Sequence, residues 1–423
     1  MGRYLVLCLF AILLLSSGCT VRTGEMPSAE PESQGMSGAQ LARLDSVLNQ
    51  YAESQRLAGA VLLVARNGTV IHRASVGFRD IESQSLMTDD TIFRIASQSK
   101  AVISVATMIL QEEGRLLISD PVSKYLPEYA NTTVAQPTAD GYEVVPASRQ
   151  ITIRDLLTHT AGIGYGWGPA ASEWVEAGIS GWYFGHFVEP IRETVRRMAS
   201  LPMDAQPGTA FVYGYNTDIL GALLEVAAGE PLDKIIQGRI LDPLDMYDTH
   251  FYLPEAKRDR LAAVYSMKDG TLRRAPAISA MEAQGAYVDG PRMSFSGGAG
   301  LLSTARDYSR FLQMVLNGGE LNGVRLLSPS TVHLMTINHL NTITFPWTPG
   351  VGFGLGFSVV MDQGAYGAPG SVGEFGWGGA YHSTYWADPQ TGLLVVYFTQ
   401  LTPVGDVDDY GKLRAMIHGA FLE

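Results

Sequence analysis

The feature that most constrains this chain is a short strand that runs directly into a long apolar helix, with a serine and a lysine at the junction. Residues 93–100 read FRIASQSK and are followed by the apolar run 101–110. Ser97 begins the predicted helix and Lys100 follows one turn later, so their side chains share one helix face. A helix N-terminus favours the negative charge that develops on acyl transfer to serine. The alternative is that Ser97 is an ordinary helix N-cap.

The first 36 residues predict an export signal and a tether rather than part of the fold. Residues 1–18 combine one arginine with an apolar stretch too short to span a bilayer, and end in small residues before Cys19. This pattern resembles a bacterial lipoprotein signal, with Cys19 as the lipidated N-terminus, although Ser16 stands where leucine is usual. The alternative is an ordinary secretory signal. Residues 19–36 predict a flexible tether, so we expect an exported, membrane-anchored protein on the periplasmic side.

Charge and cysteine content exclude several classes of function. The net charge of −12 over 423 residues argues against a nucleic-acid partner, because there is no basic excess to displace counterions. Cys8 and Cys19 are the only cysteines, which leaves the body of the chain without a disulfide or a cysteine nucleophile. No histidine or cysteine cluster has metal-ligand spacing, and no phosphate-binding glycine loop occurs. We therefore expect neither a metal nor another cofactor.

The order of predicted elements indicates that both ends of the chain build one antiparallel sheet. Ser37 caps an amphipathic helix, and two apolar runs around Asn67-Gly68 predict a hairpin. Residues 381–387 and 393–399 predict two more strands, and a last helix is expected over residues 410–421.

The middle of the chain is predicted to be mainly helical. Residues 131–150 are expected to form a surface loop, and residues 151–163 a helix capped by Thr152. His159, near the end of that helix, is interpreted as an interior histidine rather than a catalytic one. Residues 164–187 are rich in aromatic side chains, but these follow neither helical nor strand spacing. The segment can be either a lid or pocket wall or a packed surface loop, and the sequence favours neither.

These elements together predict an α+β fold with two subdomains. Residues 37–95 and 296–423 are expected to form an antiparallel sheet flanked by helices, and residues 96–295 an all-α subdomain beside it. Residues 37–423 would then form a single catalytic domain.

Five motifs, taken in order, resemble the serine β-lactamase-like superfamily, in the branch that contains class C β-lactamases and family VIII carboxylesterases. The motifs are FRIASQSK at 93–100, LLTHTAG at 156–162, PGT at 207–209 with Tyr213, GLLSTARD at 300–307 and WGG at 377–379. Their joint order and spacing are far more specific than any one of them. The resemblance implies the fold named above and a serine hydrolase that forms an acyl-enzyme.

The resemblance also implies roles for individual residues. Ser97 would be the nucleophile, Lys100 its base, and Tyr213 the phenol that shuttles the proton to the leaving group. Tyr215, which stands where class C enzymes have asparagine, is kept as the alternative catalytic tyrosine. Asn216, one place further, is a candidate for the missing amide and so for substrate binding.

The WGG motif at residues 377–379 favours neutral substrates. β-Lactamases and peptidases carry Lys-Thr-Gly on the strand beside the serine, where the lysine attracts a substrate carboxylate. This chain has Trp377, Gly378 and Gly379 there, and tryptophan carries no charge. The resemblance implies that these residues bind substrate and that the N–H groups of Ala380 and Ser97 form the oxyanion hole. A short-chain ester is the expected substrate, with a lactam or D-alanyl peptide as the alternative. A cell-wall-binding module on an inactive scaffold is the alternative outside the enzymes.

Overall fold

The computed structural model describes residues 25–277 and 281–422. The predicted signal at residues 1–18 and the lipidation residue Cys19 lie outside the described residues. Within the described ranges, no helix is both long and apolar enough to cross a bilayer.

The described chain alternates helices and strands, with strands concentrated at its two ends. The strands are β1 (Gly59–Arg66), β2 (Thr69–Asp80), β3 (Ser85–Leu86), β4 (Phe93–Arg94), β5 (Thr133–Thr138), β6 (Gly141–Pro146), β7 (Tyr265–Lys268), β8 (Thr271–Arg274), β9 (Leu302–Ser303), β10 (Glu320–Leu321), β11 (Val324–Arg325), β12 (Val351–Phe353), β13 (Ser358–Val360), β14 (Phe375–Gly379), β15 (Ser383–Asp388) and β16 (Leu393–Phe398). The α-helices are α1 (Gly38–Glu53), α2 (Ser99–Glu112), α3 (Ile153–Leu157), α4 (Ala171–Glu176), α5 (Ile191–Met198), α6 (Asn216–Ala228), α7 (Leu232–Ile236), α8 (Ala305–Leu316), α9 (Pro329–Met335), α10 (Gln363–Tyr366) and α11 (Asp409–His418).

The largest sheet joins strands from both ends of the chain. Its eight strands lie in the order β12-β13-β14-β15-β16-β1-β2-β3, and each neighbouring pair is antiparallel. β1 pairs with β16, so the first long strand contacts the last one across more than 300 residues of chain. The α+β fold and the antiparallel sheet built from both chain ends are therefore confirmed.

The apolar runs of β1 and β16 are explained by burial on both faces of this sheet. Alternate residues of β1, such as Leu63, pack with α2 and α8 on the inner face. The residues between them, such as Leu62, pack with α1 and α11 on the outer face. A strand covered on both sides needs apolar residues at every position, which is why these two strands show no alternation.

Two predictions for the middle of the chain are wrong. Residues 131–150 contain the hairpin β5–β6 rather than a loop. Most of that hairpin is exposed, so it carries no alternating apolar pattern to reveal it. The helix expected over residues 151–163 is only α3, although Thr152 caps it as predicted. It stops because His159 adopts a φ of 55°, in the left-handed region.

Candidate active site

The turn that carries Ser97 is buried except at the serine itself. β4 pairs with β9 and leads into a 3₁₀ turn, Ala96–Gln98, from which α2 continues at Ser99. Ser97 therefore lies in the turn before the helix rather than in its first position. Between residues 91 and 110, Ser97 alone is not buried. Ala96 has a φ of 43°, in the left-handed region. This conformation costs a non-glycine residue on the order of 1 kcal/mol, so the surrounding packing must stabilise it.

Lys100 lies beneath Ser97 and is almost fully buried, with 2% of its surface exposed. Its Nζ donates to Gly298 O at 2.8 Å, to Tyr165 Oη at 3.0 Å and to Ser97 Oγ at 3.4 Å. The structure thus brings the predicted nucleophile and base together. Within the described residues, Lys100 forms no ion pair with a carboxylate, so neutral oxygens satisfy it.

A buried carboxylate fixes the turn that supplies the Gly298 carbonyl. Asp218 Oδ1 accepts from Gly298 N at 3.0 Å and from Ser296 Oγ at 2.6 Å. A Cβ at position 298 would lie 2.3 Å from Asp218 Oδ2, so only glycine fits there. Burial raises the pKa of the Asp218 carboxyl, whereas its hydrogen bond from Ser296 and the charge of Lys100 lower it. Asp218 therefore positions Lys100 through the backbone, a role that no sequence motif indicated.

Tyr213 lies beside the pair and presents its ring to the lysine. Lys100 Nζ is 4.6 Å from the centroid of the Tyr213 ring, a cation–π distance. The phenol oxygen of Tyr213 accepts a hydrogen bond from Trp377 Nε1 at 3.0 Å. Tyr213 of the PGT motif and Trp377 of the WGG motif, both singled out from the sequence, are therefore in direct contact.

A second tyrosine, which the sequence analysis did not select, has its hydroxyl nearer to the reacting groups. Tyr165 Oη accepts from Lys100 Nζ at 3.0 Å. Burial raises the pKa of Tyr165 well above its usual range, and the neighbouring Ser97 hydroxyl opposes that rise. In the sequence, Tyr165 is one of several aromatic residues in the segment 164–187. No motif marks it, and its closeness to Lys100 depends on tertiary packing.

The aromatic segment 164–187 is mostly packed, with an exposed tryptophan beside the site. Trp174, Tyr183 and Phe184 are buried, whereas Trp167 is 59% exposed and its ring centroid lies 5.4 Å from that of Tyr165. The buried aromatics fit the interpretation as a packed loop, and the exposed Trp167 fits the interpretation as a pocket wall.

Tyr215 and Asn216 face the protein interior instead of the cleft. Tyr215 is fully buried and its hydroxyl donates to the backbone carbonyls of Gly181 and Tyr165. Asn216 is fully buried at the start of α6, and its amide donates to Ile163 O and His159 Nδ1, both at 3.0 Å. The structure thus gives Asn216 contacts that hold the loop around Tyr213 and places it out of reach of a substrate.

His159 is buried next to Tyr213, which agrees with its interpretation as an interior histidine. Its ring centroid is 4.5 Å from that of Tyr213, and the side chain is 1% exposed. Burial lowers the pKa of His159 well below its usual range, and the charge of Lys100 lowers it further. A neutral, enclosed imidazole supports the tyrosine from the side opposite the cleft.

The end of β14 is pressed against the Ser97 turn. A Cβ on Gly379 would lie 2.5 Å from Ile95 O, so the strand can approach the turn only because this residue is glycine. Ala380, the next residue, packs into the small cluster that contains Ala96. The backbone after β14 and the backbone at Ser97 are therefore adjacent, as an oxyanion hole built from both requires.

Metal-ligating side chains do not converge in the part of the chain that the structure describes, where no group of three histidine, cysteine or acidic residues has suitable geometry.

Comparisons with known proteins show the family to which the chain belongs. The β-lactamase family model matches residues 44–418. Esterase EstB from Burkholderia gladioli is 34% identical over 393 residues, which cover 88% of this chain and 93% of the relative. A putative D-alanyl-D-alanine carboxypeptidase from Escherichia coli (strain K12) is 25% identical over 417 residues, 93% of this chain and 91% of the relative.

A solved structure shares both fold and sequence. EstCE1, described as a hydrolase with promiscuous acyltransferase activity, superposes with a TM-score of 0.74 at 30% identity and covers 91% of this chain and 99% of its own. The family model spans most of the chain, and the esterase relatives align over nearly their full lengths. This chain therefore belongs to the β-lactamase family of serine hydrolases.

Proposed function

We propose that this serine hydrolase is a carboxylesterase for neutral, short-chain esters and that it works through an acyl-enzyme at Ser97. The preference for neutral esters is inferred from the position of Trp377. It lies on the strand beside the Ser97 turn, where related lactamases and peptidases carry a lysine. Its single donor is taken up by the Tyr213 hydroxyl. A substrate carboxylate would find an apolar ring there instead of a cation.

The first step uses the contacts around Lys100. Ser97 Oγ attacks the ester carbonyl while its proton passes to the Lys100 amine, directly or through the Tyr165 hydroxyl that is hydrogen-bonded to Lys100. The N–H groups of Ser97 and Ala380 bind the oxyanion that forms. Collapse of this intermediate expels the alkoxide, which takes up the proton from the Lys100–tyrosine pair and leaves as the alcohol.

The second step repeats this chemistry with water. A water molecule gives its proton to the same base and attacks the acyl carbon, and the acid leaves as Ser97 Oγ recovers its proton. No metal or cofactor enters either step. The Asp218–Gly298 contact keeps the lysine in place throughout, because it fixes the carbonyl that holds Nζ.

The experiment that tests the proposal is a substrate panel. The protein without residues 1–18 is assayed against p-nitrophenyl butyrate, a chromogenic cephalosporin and a D-alanyl-D-alanine peptide. Ser97→Ala is the inactive variant, and Ser330→Ala, at an exposed serine, is the matched control. Ester turnover that is abolished in Ser97→Ala alone supports the proposal. Cephalosporin or peptide turnover without ester turnover would instead establish a lactamase or peptidase, and no turnover at all would favour a binding module.

We also propose that the protein is exported and held at the membrane by a lipid on Cys19. The support is the sequence alone: a short apolar segment, small residues before the cysteine, and a following stretch rich in proline, serine and glycine.

The predicted tether over residues 19–36 is wrong for residues 25–36. These pack on the fold with Met26 and Met36 buried, because each side chain joins a hydrophobic core cluster.

A further inference from the structure

One wall of the candidate active site is an aromatic surface that remains open to solvent. We call Phe211, Phe345, Trp347, Phe353 and Trp377 the aromatic ledge. Trp347 is 56% exposed, although its ring lies 5.4 Å from Phe345, 5.6 Å from Phe211 and 5.8 Å from Trp377 between centroids. Phe211, Phe345 and Phe353 are buried behind it. The exposed ring therefore packs against rings that are themselves largely buried.

The aromatic ledge reaches the catalytic lysine through Tyr213. The Tyr213 ring centroid lies 5.4 Å from both Trp347 and Trp377 and 4.6 Å from Lys100 Nζ. Trp377 also donates to the Tyr213 hydroxyl. A flat apolar group that lies across the ledge would thus have its inner end beside Lys100 and its outer end on Trp347.

The position of the proton donors decides which half of an ester lies there. The carbonyl oxygen points to the N–H groups of Ser97 and Ala380, whereas the leaving alkoxide must face Lys100 and its tyrosines to be protonated. Tyr213 forms the inner end of the aromatic ledge, so the group attached to the leaving oxygen extends over it. The acyl group then points away from the ledge.

We propose that the aromatic ledge binds the alcohol part of the substrate and selects esters of flat, uncharged aromatic alcohols; this inference rests on the proposed esterase function. The ledge consists of apolar side chains, whose faces favour ring stacking. Phe345, Trp347 and Trp377 also line a cavity of about 230 Å³ at the sheet edge, whose lining does not include Ser97, Lys100 or Tyr213. The outer end of a bicyclic group would have room there.

The test compares esters that yield the same acyl-enzyme. Ethyl butyrate and 2-naphthyl butyrate differ only in the alcohol, so both must pass through the same butyryl-enzyme and the same deacylation. Trp347→Ala is expected to lower kcat/KM for the naphthyl ester about tenfold and to leave that for the ethyl ester within about twofold. Trp347→Phe keeps a ring and should recover most of the loss. Tyr247→Ala, a similarly exposed aromatic outside the ledge, serves as the matched control.

A second series separates the two halves of the ester. With p-nitrophenol as the fixed alcohol and acetate, butyrate and hexanoate as acyl groups, the loss in Trp347→Ala should be the same for all three. An equal loss for ethyl and naphthyl butyrate, or a loss that grows with acyl length, would overturn the inference while the esterase function stands. If the wild-type protein hydrolyses none of these esters, the proposed function and the inference both fail.

Discussion

Substitution of Gly379 by alanine should separate catalysis from folding at the oxyanion hole. The added Cβ would lie 2.5 Å from Ile95 O and 2.6 Å from Ser383 Oγ, both far inside normal contact distance. β14 and the Ser97 turn must then move apart by roughly 0.5–1 Å, and a misplacement of that size costs on the order of 100-fold in rate. Loss of one oxyanion donor has a similar effect, about 10²–10³-fold in kcat. We therefore expect kcat for p-nitrophenyl butyrate to fall about 100-fold in Gly379→Ala.

The neighbouring glycine provides the matched control. A Cβ on Gly378 would meet only Ser383 O, at 3.1 Å, which a small adjustment relieves. Gly378→Ala should keep kcat within roughly threefold of the wild type, because β14 is not forced from the Ser97 turn. Thermal unfolding of both variants checks that each still folds. Equal losses of kcat in the two variants, or a Gly379→Ala protein with nearly normal kcat, would refute the proposed contact between β14 and the nucleophile turn.

Three further predictions address proton transfer, stability and location. Tyr165→Phe removes the hydroxyl that accepts from Lys100 and should lower kcat by about 10²-fold with little change in KM. A normal kcat would leave Tyr213 as the proton carrier. Burial raises the pKa of Asp307 to about 6, so deprotonation destabilises the folded state. Relative to Asp307→Asn, the wild type should therefore lose about 3 kcal/mol of unfolding free energy as the pH rises from about 3 to about 7, through the unfolded-state and folded-state pKa values of this carboxyl. Urea unfolding at several pH values measures this, and a constant difference would contradict it. Cys19→Ser should release the protein from membranes, and unchanged fractionation would refute lipidation.

The parts of the fold and site that were predictable from the sequence depend on local patterns. The spacing of Ser97 and Lys100 alone places them on one turn, and the apolar runs on either side of Asn67-Gly68 alone predict a hairpin. The motif order then located Tyr213 and Trp377, which the structure brings into contact.

The parts that sequence reasoning missed depend on contacts between distant segments. Tyr165 reaches Lys100 from a loop without a period, and Asp218 acts on it through the backbone of Gly298, 80 residues away. Neither of these contacts produces a recognisable pattern in the local sequence. The hairpin within residues 131–150 was missed for a different reason, since an exposed ribbon needs no apolar alternation.

The central claim is that ester hydrolysis passes through a covalent acyl group on Ser97. The most direct measurement is intact-protein mass spectrometry of the enzyme quenched with acid during turnover of p-nitrophenyl butyrate, followed by peptide mapping. The account predicts one butyryl group per protein, located on Ser97, and no adduct in Ser97→Ala. Acylation of another residue, or ester turnover that persists in Ser97→Ala without any adduct, would contradict it.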